Sequence, residues 1–353
     1  GGLLAQWPGR IDLRGATTGE LAAEGLRVQL PRLSAQGQLR GRPLDLALHG
    51  SYRDDTIADA RLALELGESR LAAQGAVGPT TDLQWQLDSP DLADFHPRAA
   101  GALTGSGQIN GALPRPRLRL DLSGQDLVWD SLAAGQLDLE SHLDPSGEQA
   151  SALTLDVARA RMGTTAVSHL HVRGTGTPGR HRVHGVAETA WGESAWDVSG
   201  QLEGEEPRWS FRLTQLKLDP VDLAPWDLER PATGAVAPDR QQLESACLAS
   251  AEGRLCLGGS RSPEAIHARF QVARLPLGYF RPLLPPGTEL EGEISGNGHL
   301  DRTGQGPFTG ELSLETSRGR LAHRENGDVL GEIAFGPSHL QAQATPAALR
   351  GEG

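Results

Sequence analysis

The side chains able to do chemistry fall in two short stretches. In ESACLASAEGRLCLGG (residues 244–259), Cys247 and Cys256 are spaced to face each other across a hairpin that turns at Ala251 to Gly253, where opposed side chains meet disulfide geometry. Two unpaired buried thiols are the alternative, and zinc is disfavoured because no histidine is near. In HLHVRGTGTPGRHRVH (residues 169–184), His169, His171, His181 and His184 are placed so that a hairpin could gather three imidazoles around a metal. Leu170 and Val172 claim the apolar side of the same strand, however, which leaves the histidines on the wet face. The enclosed GTGTPG fits the glycine fingerprint of dinucleotide sites, but that chemistry needs a helix to begin there and aim its amino end at phosphate. RHRVHGVAE continues as a strand, so the glycines belong to a hairpin loop.

Catalysis and cofactors find no support elsewhere. No serine sits in a nucleophile elbow, and the carboxylates are spread along polar strand faces rather than paired. The expectation is a protein that is not an enzyme and carries no cofactor or metal. With 33 basic against 45 acidic residues and no basic cluster interleaved with aromatics, nucleic acid is excluded as a partner.

The elements that would position any site are strands. Period-two alternation recurs in LDLALHG (44–50), ARLALEL (60–66), LRLDLSG (118–124), GQLDLESHL (135–143), ALTLDVA (152–158) and TGELSLET (309–316), so each run has a leucine face and a polar face. Turn residues punctuate these runs every eight to twelve residues or so, as in RGRP, GPTTD, DPSGE and TPGR, which reads as a series of antiparallel hairpins. In RWSFRLTQLKLD the apolar phase slips between Leu213 and Leu216, predicting a bulge near Thr214 and Gln215. Three Pro-flanked stretches are expected to form helical turns: SPDLADFHP (89–97), LDPVDLAPWDLERP (218–231) and LPLGYFRPLLPPG (275–287). The first and third precede matching text, a glycine-bearing strand, a Pro-containing turn and a second alternating strand, which forms a loose internal repeat.

At 353 residues the chain exceeds one ordinary core, while aromatics make up only 4% of it, too few to fill a thick interior. The predicted fold is therefore all-β: an elongated, curled antiparallel sheet of successive hairpins with a few short helical turns, forming an open apolar groove. Possible sub-segments are 1–88, 89–217, 218–274 and 275–353. Alternation alone assigns the groove lining to Leu62, Leu64, Leu66, Leu118, Leu120, Leu122, Leu137, Leu139, Leu153, Leu155, Leu312 and Leu314. No run reaches the roughly 18 apolar residues of a membrane-spanning helix, and the first residues lack a signal-peptide pattern.

The stretches GLLAQWPGRIDLRGATTGELAAEGLRVQLPRLSAQGQLRGRPLDLALHGSYRD (2–54), LPLGYFRPLLPPGTELEGEISGNG (275–298) and CLASAEGRLCLGG (247–259) resemble the middle region of the TamB-like family. That family is grouped with the AsmA-like, bridge-type lipid transporters of diderm bacteria. The resemblance implies a β-taco groove in the periplasm that holds phospholipid acyl chains, and an inner-membrane anchor at the amino terminus. It also implies a carboxy-terminal domain that meets the outer-membrane barrel protein TamA, and a part in outer-membrane protein assembly. Anchor and carboxy-terminal domain are both missing from this sequence, which is therefore expected to be an internal piece. The implied oxidising compartment favours the Cys247–Cys256 disulfide. Trp7, Trp85, Trp129, Trp191, Trp196, Trp209 and Trp226 could rim a groove at headgroup level, although strand packing accounts for them more simply. The competing reading is a structural or adhesive β-solenoid whose leucines meet each other, but its coils need a constant length that the spacing here lacks. A polysaccharide-active β-helix would want clustered Asp, Lys or Arg, against which stands the single lysine, Lys217.

Overall fold

The computed structural model describes residues 8–22, 25–203, 208–221, 223–325, 328–345 and 348–352. Trp7 lies outside them. The chain divides into two compact units, Gly1–Ala190 and Trp191–Gly353, and both are built of antiparallel strands joined mostly by tight turns.

The first unit contains β1 (Gly9–Ala22), β2 (Gly25–Leu39), β3 (Arg42–Arg53), β4 (Thr56–Leu66), β5 (Ser69–Val77) and β6 (Thr80–Ser89). After a 3-10 turn at Leu92–Asp94 come β7 (Ala99–Ala112), β8 (Arg117–Trp129), β9 (Leu132–Leu143), β10 (Ser151–Met162), β11 (Thr165–Thr177) and β12 (Arg180–Thr189). Each strand pairs with the one before it. The β2–β3 and β3–β4 turns place Arg40–Gly41 and Asp54–Asp55 at positive φ, the backbone that matches a two-residue hairpin to the strand twist. GTGTPG ends β11 and turns at Pro178–Gly179 into β12, a hairpin loop as its sequence context required.

The second unit contains β13 (Gly192–Glu203), β14 (Arg208–Pro220), β15 (Trp226–Leu228), β16 (Ala232–Val236), β17 (Gln241–Ala249), β18 (Arg254–Arg261) and β19 (Ala265–Pro276). A 3-10 segment at Leu277–Leu283 leads to β20 (Thr288–Glu291), β21 (Glu293–Thr303), β22 (Thr309–Thr316), β23 (Gly319–Glu325), β24 (Asp328–Phe335), β25 (Ser338–Thr345) and β26 (Ala348–Glu352). β20, β23 and β24 pair as a small separate sheet, so β21 joins β19 directly and β22 joins β25. The bulge falls at Thr214: Asp197 faces Gln215 and Val198 faces Leu213, and the Thr214 hydroxyl donates to the Asp197 carbonyl at 3.1 Å.

One of the three expected helical turns is a strand instead. Within 218–231, Trp226 and Asp227 pair with Leu218 and Lys217, and Leu228 with Leu248, so β15 bridges β14 and β17. Prolines at 220 and 225 break the chain on entry, and burying the Trp226 indole favours the extended pairing over a local turn.

Neither unit has a thick interior. Among the described residues, the buried apolar side chains of the first unit are Ala35, Leu66, Ala99 and Val157. Apart from Leu66, the leucines facing one another across β3–β4 and β8–β9 are half-buried, packed against their cross-strand neighbours.

Candidate functional site

The register of the first unit aligns the leucines of successive strands. Leu46 faces Leu64, Leu64 faces Leu71 and Leu71 faces Leu87. Further along, Leu122 faces Leu139, Leu139 faces Leu155 and Leu155 faces Val172. Flanking rows run through Leu62 (opposite Leu48 and Ala73), Leu66 (opposite Leu44 and Ser69), Leu118 (opposite Ile109 and Leu143) and Leu137 (opposite Gly124 and Val157). Leu120 and Leu153 share a row with Ser141, which faces both. All ten leucines named for this unit from alternation therefore lie in continuous cross-strand rows, half-buried except for the buried Leu66, while Arg61, Glu65, Arg119 and Asp121 between them are exposed.

Glycines shape this face. Gly105 and Gly107 on β7 oppose Leu122 and Leu120, and a Cβ built on Gly107 would stand 2.4 Å from the Trp85 indole nitrogen. The indole therefore lies across bare backbone, which the absence of a side chain makes possible. The second unit repeats the device, with Gly296 and Gly298 on β21 opposing Leu314 and Leu312, and the Phe270 ring over Gly298. There Leu312 also faces Ala342 and Leu314 faces Leu340. A depression of about 550 Å³ opens on these side chains, lined chiefly by Leu243, Leu257, Phe270, Leu300, Leu312 and Ala342.

The opposite face has a different chemistry. In the first unit it carries a depression of about 640 Å³ whose side chains include Arg61, Gln84, Gln86, Gln108, Arg119 and Asp121. His169 and His171 both approach the Asp156 carboxylate, at 3.8 and 2.7 Å. His181 departs from the expected wet placement: it faces Gly176, in phase with Val183 on the leucine side, because residues three apart in a strand, His181 and His184, point to opposite faces. Among the described residues no group of three or more His, Cys, Asp or Glu is arranged to hold a metal.

Cys247 and Cys256 face each other on β17 and β18 and form a disulfide. They lie in register with Gln271 and Asn297, on the polar side of the hairpin. Trp85, Trp196 and Trp209 are half-buried, Trp209 stacking on Phe211, whereas Trp129 and Trp191 are exposed at hairpin ends. Trp226 is buried and its indole N–H donates to the Tyr279 hydroxyl at 2.5 Å, which donates onward to the Ala224 carbonyl at 3.1 Å. Burial pushes the Tyr279 phenol above its ordinary value, against the effect of the Trp226 bond.

Alternation did not reveal the cluster at the first 3-10 turn. There the buried Asp94 carboxylate receives the Ser69 hydroxyl at 2.7 Å, the backbone N–H groups of Glu68 and Ser69 at 3.0 and 3.1 Å, and the Arg42 guanidinium. The one available signal was Asp91, whose side chain caps the turn by accepting from the Ala93 N–H at 3.0 Å.

Serial antiparallel hairpins with in-register aliphatic rows on one face define a class of extended β-sheet protein. Within that class the chain belongs to the family described as "TamB, N-terminal domain", whose profile matches residues 1–351. It is also similar to the translocation and assembly module subunit TamB of Haemophilus influenzae, at 21% identity over 317 residues. That alignment covers 85% of this chain and 23% of the relative, so the chain spans about a quarter of the relative's length. No solved structure matches.

Proposed function

We propose that the leucine face holds the acyl chains of phospholipids, and that the protein forms part of a periplasmic hydrophobic conduit between the inner and outer membranes. The observation that carries this reading is the run of aliphatic rows from β2 to β12 with few buried apolar side chains beneath or above them. Covering exposed apolar surface yields about 25 cal/mol per Å² without demanding any directed contact. Holding without specificity is what passage requires, since a tight site would stop flow.

Family membership supports a linked part in outer-membrane protein assembly, the relative being named for a translocation and assembly module. In this reading the protein is anchored in the inner membrane and reaches its partner, the barrel protein TamA, through regions beyond these residues. The disulfide is consistent with an oxidising periplasm.

The test is to purify the protein from cells, extract it with organic solvent and analyse the extract by mass spectrometry. Co-purified phospholipid in stoichiometric amount is the expected result. Repeatedly clean extracts from folded protein would favour the rival, a structural β-solenoid with no cargo.

A further inference from the structure

The polar side of β4–β8 is not flat. Two rows of side chains cross it at right angles to the strands. In one row Arg61, Gln74, Gln84, Gln108 and Arg119 stand opposite one another on consecutive strands. The other runs from Ala63 and Ala72 through Gln86 and Ser106 to Asp121. Between the rows lies the backbone of Leu62, Ala73 and Trp85, whose side chains point to the leucine face, and of Gly107. This backbone is the floor of the depression of about 640 Å³. The trench is about 7 Å wide, the span of two residues along a strand, and about 19 Å long, four intervals between strands.

Its walls are unengaged. Among the described residues no hydrogen bond or ion pair holds the side chains of Arg61, Gln74, Gln84, Gln86, Gln108 or Arg119. Elsewhere in the sheets Gln36, Gln136 and Gln343 each donate to a nearby carboxylate. A free carboxamide offers two N–H donors and a carbonyl acceptor at one place, the pairing that a sugar hydroxyl or acetamido group needs. Other ligands fit poorly. Nucleic acid needs several cations, and this trench has two guanidiniums at opposite ends with the Asp121 carboxylate near one of them. A peptide strand adds to a free sheet edge, whereas every floor residue here is already paired on both sides. An acyl chain finds no apolar wall. The rings of an extended, equatorially linked glycan, by contrast, recur at close to the interval between strands, so one ring meets one strand.

We propose that this trench binds a glycan laid across β4–β8, one sugar ring to a strand, gripped along its edges by the glutamine amides. None of the wall side chains is aromatic, so hydrogen bonds rather than stacking hold the sugars, and the grip strengthens with chain length. The site lies on the face opposite the leucine rows and does not depend on lipid occupying them.

The probes are chitin oligomers from dimer to pentamer, titrated against the intact protein and followed by ligand-observed NMR. Affinity is expected to rise at each step up to the pentamer. Gln84→Ala combined with Gln108→Ala should weaken pentamer binding by about tenfold, the loss of two modest hydrogen bonds. Gln341→Ala, on the polar side of the second unit, should leave it unchanged. Gln84 is exposed and Gln108 half-buried, so the double variant is expected to fold, which an unaltered unfolding midpoint checks. Failure of the pentamer to bind folded protein, affinity that ignores chain length, or a double variant that binds as tightly as the parent overturns the proposal.

Discussion

Gly107 and Trp85 show how single residues set the surface of the sheet. Because the indole lies over backbone, a side chain at position 107 must displace it. Gly107→Val is expected to destabilise the first unit by about 1–3 kcal/mol, measured as a lowered midpoint of chemical unfolding, with a red-shifted tryptophan emission as the indole is pushed toward solvent. An unchanged midpoint would mean the ring is free to move. At this scale the phase of the leucines was legible, because period two forces alternate side chains onto opposite faces. The same rule puts His181 with Val183 on the apolar side, which a wet placement of all four histidines overlooked. Arg159 and Arg274 were not legible, since they adopt left-handed backbone where a long side chain is disfavoured. Nothing about arginine announces such a conformation.

Hairpins and their connections hold the next level of stability. The Cys247–Cys256 bridge closes a loop across a sequence separation of 9. Replacing both cysteines by alanine is expected to cost about 2–3 kcal/mol, by the loop-entropy relation for a ring of this size. The replacement should lower the unfolding midpoint as much as reductant lowers that of the parent. The β9–β10 connection depends on charge instead. Asp144 accepts the Ser146 hydroxyl at 2.5 Å and the backbone N–H groups of Ser146 and Gln149 at 2.9 Å each. These bonds, the hydroxyl foremost, hold its carboxyl below the usual value. A depressed carboxyl stabilises the folded loop above its ordinary unfolded pKa, and that contribution is lost as pH falls through the lower folded value. The protection factor of the Gln149 amide, its exchange relative to the intrinsic rate at each pH, should therefore fall on acidification, and Asp144→Asn should abolish that change; a protection factor that ignores pH would contradict the loop's reliance on the carboxylate. The Thr214 bulge was legible because the apolar phase slips in RWSFRLTQLKLD. β15 was not, because three residues between prolines carry no periodicity and the pairing that fixes them comes from distant strands.

For the chain as a whole, the all-β class was legible because nearly every segment alternates and few aromatics are available to build an interior. Each unit repeats one device: a 3-10 turn, then a glycine-bearing strand whose bare positions lie under an aromatic ring or a leucine. Alternation shows that a face is apolar and is silent on what covers it, since a second sheet and a lipid satisfy the same pattern. The Asp94 cluster stayed hidden for a related reason, its partners being 25 to 52 residues away in sequence. The most direct measurement places a photo-crosslinking residue at Leu120 and, separately, at its neighbour Arg119, in the intact protein within cells. Phospholipid adducts at Leu120 and none above background at Arg119 are expected if acyl chains occupy the leucine face. Equal labelling at the two positions, or none at Leu120 in folded protein, would contradict it.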